Sequence, residues 1–580
     1  MNVYRRLNTL LGKKEKVKFA GMLVLIFISA LLETLGVSVI VPIISAVVTP
    51  DEILSNEIVQ DVMLRAGLEP ADNLSFVKIV LIVAMAIYLI KNLYLLFLYY
   101  VQSKYVNRLE SRTSSRLLGE YLNRPYEYYL NADVNAIFQT INKDIPHVFL
   151  LLQEVMLLLT EVAVSICLCV LLLIVDPAMT LFFAGLMFAM VLVIVLVIKP
   201  LLGRLGQERV QQQVATMKWM QQAVFGIKDV KVAAKEGHFL SAFSGAYDKL
   251  ANANRKYTVY NNSPRLAIEL VCMVGALAYM YICVVSGKDM MAMFPQLSAF
   301  AFAAVRLMPG VNRISTHLST IAYYETSLNY VCDNLNITEL KDTEIVESKN
   351  RISSENKISL EHITYRYPNT EKAIFDDADM EIPVGKSVGV IGPSGAGKTT
   401  IIDILLGLLK PEKGQVLSDS VDIEDDMPGW LHNTGYIAQN IYMLDTTIRA
   451  NVAFGVKDGD VDEARIWEVL KEAQMDTFVK SLPDGLDTVI GDRGVRISGG
   501  QRQRLGIARA LYHDPELLVF DEATSALDND TESAIMDAIN SLKGRKTLVI
   551  IAHRLKTVEN CDILYKVENG KINITELQNA

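Results

Sequence analysis

Cysteine is scarce: the chain has six in 580 residues. No two of them form a C-x-x-C pair, which argues against a disulfide framework and against a zinc site. Cys167, Cys169, Cys272 and Cys283 lie in apolar runs and read as small hydrophobes. A basic excess is also missing. The net charge is −9, so nucleic acid is not expected as a partner, since that role favours a basic stripe. Charge itself is thin in the first half, and most long apolar runs end before about residue 312. With 51% hydrophobic residues the chain cannot be intrinsically disordered, and its length suits several average domains or two large ones.

What fills the first half is membrane-spanning sequence. Phe19 to Val48 is broken by one charge, Glu33. At 1.5 Å per residue it is about 45 Å long, more than the ~30 Å hydrocarbon core needs. No small-residue cleavage site follows a short apolar stretch, so a cleaved signal peptide is not expected. Further spans are expected over Phe76–Val101, Val148–Val175, Ala178–Ile198 and Leu266–Val285, with a shorter one over Met290–Met308. Pro295, Arg306 and Pro309 interrupt that sixth segment.

Basic residues set the orientation. Arg5, Arg6, Lys13, Lys14, Lys16 and Lys18 precede the first span, whereas the following loop is acidic. Both termini are therefore expected in the cytoplasm, together with the polar connections at about 102–147 and 199–263, which read as helical extensions. Residues 53–68 have helical apolar spacing and suit an amphipathic helix, either at the membrane interface or packed on the outer ends of neighbouring spans. Glu33, Lys91, Glu154, Glu161 and Arg306 lie inside the spans, and such groups face a partner helix or a cavity. Interhelical pairing and a substrate path are both open readings; the path would use Glu33, Lys91, Arg265, Arg306 and Arg313. The charge-mixed stretch 336–356 reads as a linker between a domain at 1–335 and another at 357–580.

The second domain carries phosphate chemistry. After the strand-like Ser387–Ile391 comes Gly392-Pro-Ser394-Gly395-Ala-Gly397-Lys398-Thr399-Thr400, the full G-x-x-x-x-G-K-[ST] pattern, followed by the helical Ile401–Leu409. Glycines let backbone N–H groups turn inward around phosphates, and the helix N-terminus adds partial positive charge. Lys398 would reach the β- and γ-phosphates of ATP, and Thr399 would ligate Mg²⁺. Leu517–Phe520 is a buried-strand signature ending in Asp521-Glu522. Asp521 would hold Mg²⁺, usually through water, and Glu522 would polarise the attacking water.

Ile497-Ser498-Gly499-Gly500-Gln501, between these motifs, resembles the signature sequence of ATP-binding cassette (ABC) transporters, with Ile497 where that family usually has Leu. The resemblance covers the whole chain. It implies a fold of six transmembrane helices, all-α, of the exporter type, followed by an α/β P-loop ATP-binding cassette. It also implies that Ser498 and Gly500 meet the γ-phosphate held by a second subunit, so that a homodimer closes around two ATP sites. By the same resemblance Tyr367 stacks on adenine, with Tyr365 as runner-up. Gln439 links Mg²⁺ and the attacking water to the membrane domain, and His553 is the γ-phosphate switch. Ser525–Asp528 communicates across the dimer, and Gly491–Gly494 touches the intracellular helices. Pro125–Asn131 and Gly226–Phe239 resemble the coupling helices.

Three short features resemble the lipid-linked oligosaccharide flippases of bacterial protein glycosylation (the PglK type): Leu32–Val37, the helix expected at 53–68, and Ala304–Pro309. The resemblance implies a multi-pass protein of the bacterial inner membrane that moves a lipid-linked saccharide or a related lipid. A drug or lipid exporter and a peptide exporter stay open. So does a nucleotide-gated channel or regulator, against which the intact Glu522 counts.

Overall fold

The computed structural model describes residues 5–7, 12–39, 73–175, 177–285, 290–334, 351–368, 370–522, 529–552 and 554–576. The amphipathic segment expected at 53–68 lies outside them. The chain divides into two units, Met1–Asn123 with Asp133–Thr343 and Arg124–Ala132 with Glu344–Ala580.

Apolar sequence that enters hydrocarbon must bond its own backbone, and the first unit accordingly builds helices. These are α1 (Lys13–Ser38) and α2 (Asn73–Leu122), then α4 (Val134–Gln139), α5 (Ile145–Val175) and α6 (Pro177–Val193), with α3 reserved for the short helix Tyr126–Asn131 of the second unit. They continue as α7 (Lys199–Phe225), α8 (Ile227–Val232), α9 (Glu236–Val285) and α10 (Met290–Asn334). π turns at Thr140–Asp144 and Ile194–Ile198 join α4 to α5 and α6 to α7. Among the described residues, Lys13–Gly36, Leu74–Leu122, Val134–Leu171 and Phe188–Phe225 are long and apolar enough to cross a membrane. The expected fifth and sixth spans fall within α9 and α10, which stay helical through Pro264 and Pro309. Met85, Leu89 and Leu96 of α2 are each more than half exposed, which would be costly in water and is neutral in lipid.

Outside the apolar spans a buried cation ties four segments together. Arg209 on α7 donates to Ser327 Oγ on α10 at 3.0 Å, and Ser327 donates to Asp144 in the π turn at 3.0 Å. Its guanidinium lies over the rings of Tyr323 and Tyr324 and within 3.3 Å of His147 Nδ1 on α5. Helices α7 and α10 approach closely beside it because position 206 is glycine: a Cβ there would stand 2.3 Å from the Tyr323 carbonyl oxygen.

The second unit is a layered α/β structure. A four-stranded antiparallel sheet runs in the order β2-β1-β4-β5, with β1 Lys357–Tyr365, β2 Phe375–Pro383, β4 Lys413–Ser418 and β5 Val421–Asp422. The six-stranded sheet β10-β9-β3-β8-β7-β6 holds β3 (Ser387–Ile391), β6 (Thr434–Ile437), β7 (Leu517–Asp521), β8 (Thr547–Ile551), β9 (Ile563–Glu568) and β10 (Lys571–Ile574). All its pairings are parallel except β9 with β10. Its strands alternate between two cores: Leu518 and Phe520 enter one, Leu517 and Val519 the other. Both faces are covered, which is why these strands read as continuous apolar runs. The longer helices of the unit are α11 (Lys398–Leu405), α12 (Glu463–Glu472), α13 (Gly499–Tyr512) and α14 (Asn529–Leu542).

Gly206→Ala tests the close approach of α7 and α10. It should destabilise the full chain by about 1–3 kcal/mol, read as a lowered melting temperature, because a backbone carbonyl cannot move aside cheaply. Gly203→Ala on the same helix meets nothing within 4 Å and should be neutral.

Candidate functional site

Parallel pairing brings several loops to one edge. Val390 aligns with Ile551, Asp521 with Ile551, and Ile437 with Phe520, so β3, β8, β7 and β6 all end at the same level. Ligands of open α/β sheets bind at that carboxyl edge.

The phosphate motif occupies the turn from β3 into α11. Gly392 has φ +154°, and a Cβ on it would lie 2.3 Å from the Val567 carbonyl oxygen. Gly397 has φ +103° and abuts Ile374 and Phe375. Both positions need glycine for conformation and for space. Ser394 and Gly395 are exposed on the turn. Lys398 is buried and curls over the loop, donating to the carbonyls of Gly392 at 2.9 Å and Pro393 at 3.1 Å. Burial holds its ammonium pKa below the ordinary lysine range, while the nearby Glu522 and Asp521 carboxylates oppose the shift. Thr399 is exposed in the first turn, and Thr400 is buried behind it. Tyr367 reaches this turn: its hydroxyl is 2.9 Å from Thr400 Oγ1. Tyr365 is 1% exposed and packed in the core, edge-on to Tyr367, so the two tyrosines do different work.

The acidic motif lies beside it. Asp521 ends β7, accepts a 3.3 Å hydrogen bond from the Tyr436 hydroxyl and is mostly buried. Glu522 takes φ +49° as its N–H donates to Ile551 O at 3.2 Å. Gln439, just past β6, donates through Nε2 to Glu522 Oε2 at 2.7 Å. Burial, and then Asp521, pushes the Asp403 carboxyl on α11 up to about 6. The residues present fit both expected groups. The glycine cradle with Lys398 suits a polyphosphate, and Thr399, Asp521 and Gln439 offer the hard oxygen donors that Mg²⁺ takes.

The signature motif starts α13. Ser498 Oγ accepts from Gln501 N at 3.2 Å while Gln501 Oε1 accepts from Ser498 N at 2.8 Å, a reciprocal capping box. Ser498 and Gly499 are exposed and Gly500 is buried, so the helix N-terminus presents its first turn outward. The described hydrogen bonds of Ser498 are those of its own cap. His553 and Asp528 lie outside the described residues.

The segment Pro125–Asn131, read as resembling a coupling helix, forms a helix and belongs to this unit. Its one segment from the first half of the chain carries α3, where the Glu127 carboxylate accepts from Lys410 N at 3.3 Å. The Tyr126 phenol pKa is raised, by burial first and then by Asp403 and Tyr367. Asp403 had a visible signal, an acid inside the apolar run after the phosphate motif. The Glu127–Lys410 pairing had none, since it spans 283 residues.

In the first unit three acid–base pairs join neighbouring helices among the described residues. Lys91 is buried 3.4 Å from Glu33. Arg313 donates to Glu161 at 2.6 Å, and His317 Nδ1 lies 2.5 Å from Glu154. Arg265 is exposed on α9, apart from these pairs, and Arg306 lies in α10 with its side chain outside the described set. His317, one turn beyond Arg313, was not singled out by its sequence context.

Comparison with known proteins decides the family. The model for the ABC transporter transmembrane region matches residues 19–316, and the ABC transporter model matches residues 375–525. The chain belongs to the ABC transporter family. It is a multi-pass membrane protein with a transmembrane domain followed by an ABC ATPase domain. An ATP-dependent lipid A-core flippase of Cupriavidus pinatubonensis is 25% identical over 489 residues, 82% of this transporter and 80% of the relative. A lipid A-core flippase of Ralstonia nicotianae is 40% identical, but the match covers only 37% of each chain. A multidrug resistance ABC transporter of Lactococcus lactis is 32% identical over 53% of this chain and 52% of its own. The ATP-bound structure of a bacterial Atm1-family ABC exporter superposes with a TM-score of 0.74 at 19% identity, covering 97% of this chain and 95% of the other. That likeness is one of fold.

The two tyrosines give a paired prediction. Tyr367→Ala should weaken ATP binding, measured by calorimetry, by about tenfold while leaving the melting temperature near wild type. Tyr365→Ala should instead destabilise the domain by about 3–5 kcal/mol, as loss of a fully buried aromatic does.

Proposed function

We propose that this transporter is an ATP-driven exporter of the half-transporter type, working as a homodimer in the bacterial inner membrane with both termini cytoplasmic. Its cargo is an amphipathic lipid, most specifically a lipid-linked oligosaccharide. The observation that carries the catalytic part is the Gln439–Glu522 hydrogen bond of 2.7 Å beside Lys398 and Asp521. Glu522 is the base for the attacking water, Gln439 positions that water, and Lys398 neutralises the β- and γ-phosphates. Bound Mg²⁺, held by Thr399, Asp521 and Gln439, would supply further charge neutralisation on the phosphate oxygens. His553 is assigned to sense the γ-phosphate and Asp528 to the dimer contact. Ser498, Gly499, Gly500 and Gln501 form the outward helix start that would close on the ATP of the partner subunit. Two relatives bear the name lipid A-core flippase, which supports a lipid cargo over a peptide.

For the membrane half, the paired charges Glu33–Lys91 and Glu161–Arg313 supply polar ground along the spans. With Arg265 and Arg306 they are the proposed contacts of a phosphate-bearing headgroup, since guanidinium forks bind phosphate oxygens bidentately.

The test is translocation of a fluorescent lipid-linked oligosaccharide in proteoliposomes. Wild type should move it only with ATP and Mg²⁺. Glu522→Gln should still bind ATP yet lose hydrolysis by about 10²-fold or more, and translocation with it. Movement without ATP would point to a conducting channel. Transport of an apolar drug but of no saccharide lipid would point to a multidrug exporter.

A further inference from the structure

Helices α1 and α2 run antiparallel, and two hydrogen bonds fix their register. The Tyr105 hydroxyl donates to Glu15 O at 3.0 Å, and the Tyr94 hydroxyl donates to Leu25 O at 2.9 Å. Residues 15 and 105 thus share one level and residues 25 and 94 another, about 15 Å away by the helical rise. Between them opens a cavity of about 780 Å³, within the range of ligand pockets.

Its lining changes character along that axis. Lys18, Lys104, Arg108 and Arg112 line the cavity together with Glu15, four cations against one carboxylate, with Tyr105 and Leu109 among them. Glu15 is engaged by Lys18 at 3.0 Å and by Arg112 at 3.9 Å, which leaves a strong positive excess. Toward the other level the walls are apolar, with Met22, Leu25 and Val101. The same change is written in both sequences: the apolar run of α1 begins at Phe19, directly after Lys18, and that of α2 ends at Val101, just before Lys104. The cavity therefore straddles the boundary between hydrocarbon and headgroups. The basic residues ahead of α1 place that boundary on the cytoplasmic face.

We propose that this cavity binds an anionic phospholipid of the inner leaflet, its phosphate among Lys18, Lys104, Arg108 and Arg112 and an acyl chain along Met22, Leu25 and Val101. The charge complements a phosphate diester, and the apolar wall formed by Gly21, Met22, Leu25 and Val101 complements a chain that a free anion lacks. The lipid is a resident of the bilayer rather than the cargo, and the site does not rest on which substrate is carried.

Native mass spectrometry of the full chain in detergent, titrated with palmitoyl-oleoyl phosphatidylglycerol or phosphatidylcholine, tests the site. Wild type should take up phosphatidylglycerol in preference to phosphatidylcholine. Lys104→Gln with Arg108→Gln should weaken the tightest phosphatidylglycerol binding about thirtyfold, at about fivefold for each cation removed near a membrane surface. Gly21→Trp fills the cavity without changing charge, as nothing lies within 4 Å of a Cβ there, and should also weaken it. Lys13→Gln with Lys14→Gln removes equal charge outside the cavity and should leave binding unchanged. Equal losses in both charge pairs, or no loss with Gly21→Trp, would overturn the site. So would displacement of the lipid by millimolar inorganic phosphate, the result expected of a free-anion site.

Discussion

The register of the buried parallel sheet is the constraint on which the rest of the nucleotide unit depends. Because β3, β8, β7 and β6 end together, the phosphate loop, the Asp521-Glu522 pair and Gln439 arrive at one edge without any long side chain having to reach for it. A slip of one residue would exchange Phe520 and Val519 between the two cores and turn Asp521 away from the edge. The apolar content of these strands is therefore a condition of the chemistry as well as of stability. It fixes the position of Glu522, whose φ of +49° is held by its N–H bond to Ile551.

The membrane unit obeys a different rule. Ionised groups in hydrocarbon need a partner, and Lys91 with Glu33, Arg313 with Glu161 and His317 with Glu154 provide it. Each pair joins different helices, α2 to α1 or α10 to α5, so each also specifies which helices meet. Such pairs are weak sources of stability, because desolvation offsets most of the Coulomb gain. Arg209 repeats the arrangement beyond the apolar runs, where α5, α7 and α10 converge.

Much of this was legible in the residues. The strand expected over Ser387–Ile391 has those bounds. The helix expected over Ile401–Leu409 begins three residues earlier, at Lys398 directly after the glycine turn, and ends at Leu405. The polar connection at about 199–263, read as a helical extension, breaks at Gly226, and α8 follows as a separate turn. Propensity carried no sign of that break beyond the glycine. The contacts of Glu127 with Lys410 and of His317 with Glu154 were not legible, because they link positions far apart in the chain and no local period records them. The motifs could be read because each is local, a loop between a strand and a helix.

The central claim is that each ATP site is completed by the signature helix of a second copy. Helix α13 presents Ser498 and Gly499 outward, and Ser498 is tied by a reciprocal capping box to Gln501 of the same helix. The direct test is ATP hydrolysis in nanodiscs sorted by single-molecule photobleaching into those holding one chain and those holding two. The account predicts turnover in two-chain discs and essentially none in one-chain discs, although both bind ATP. Equal turnover per chain in the two populations would contradict it.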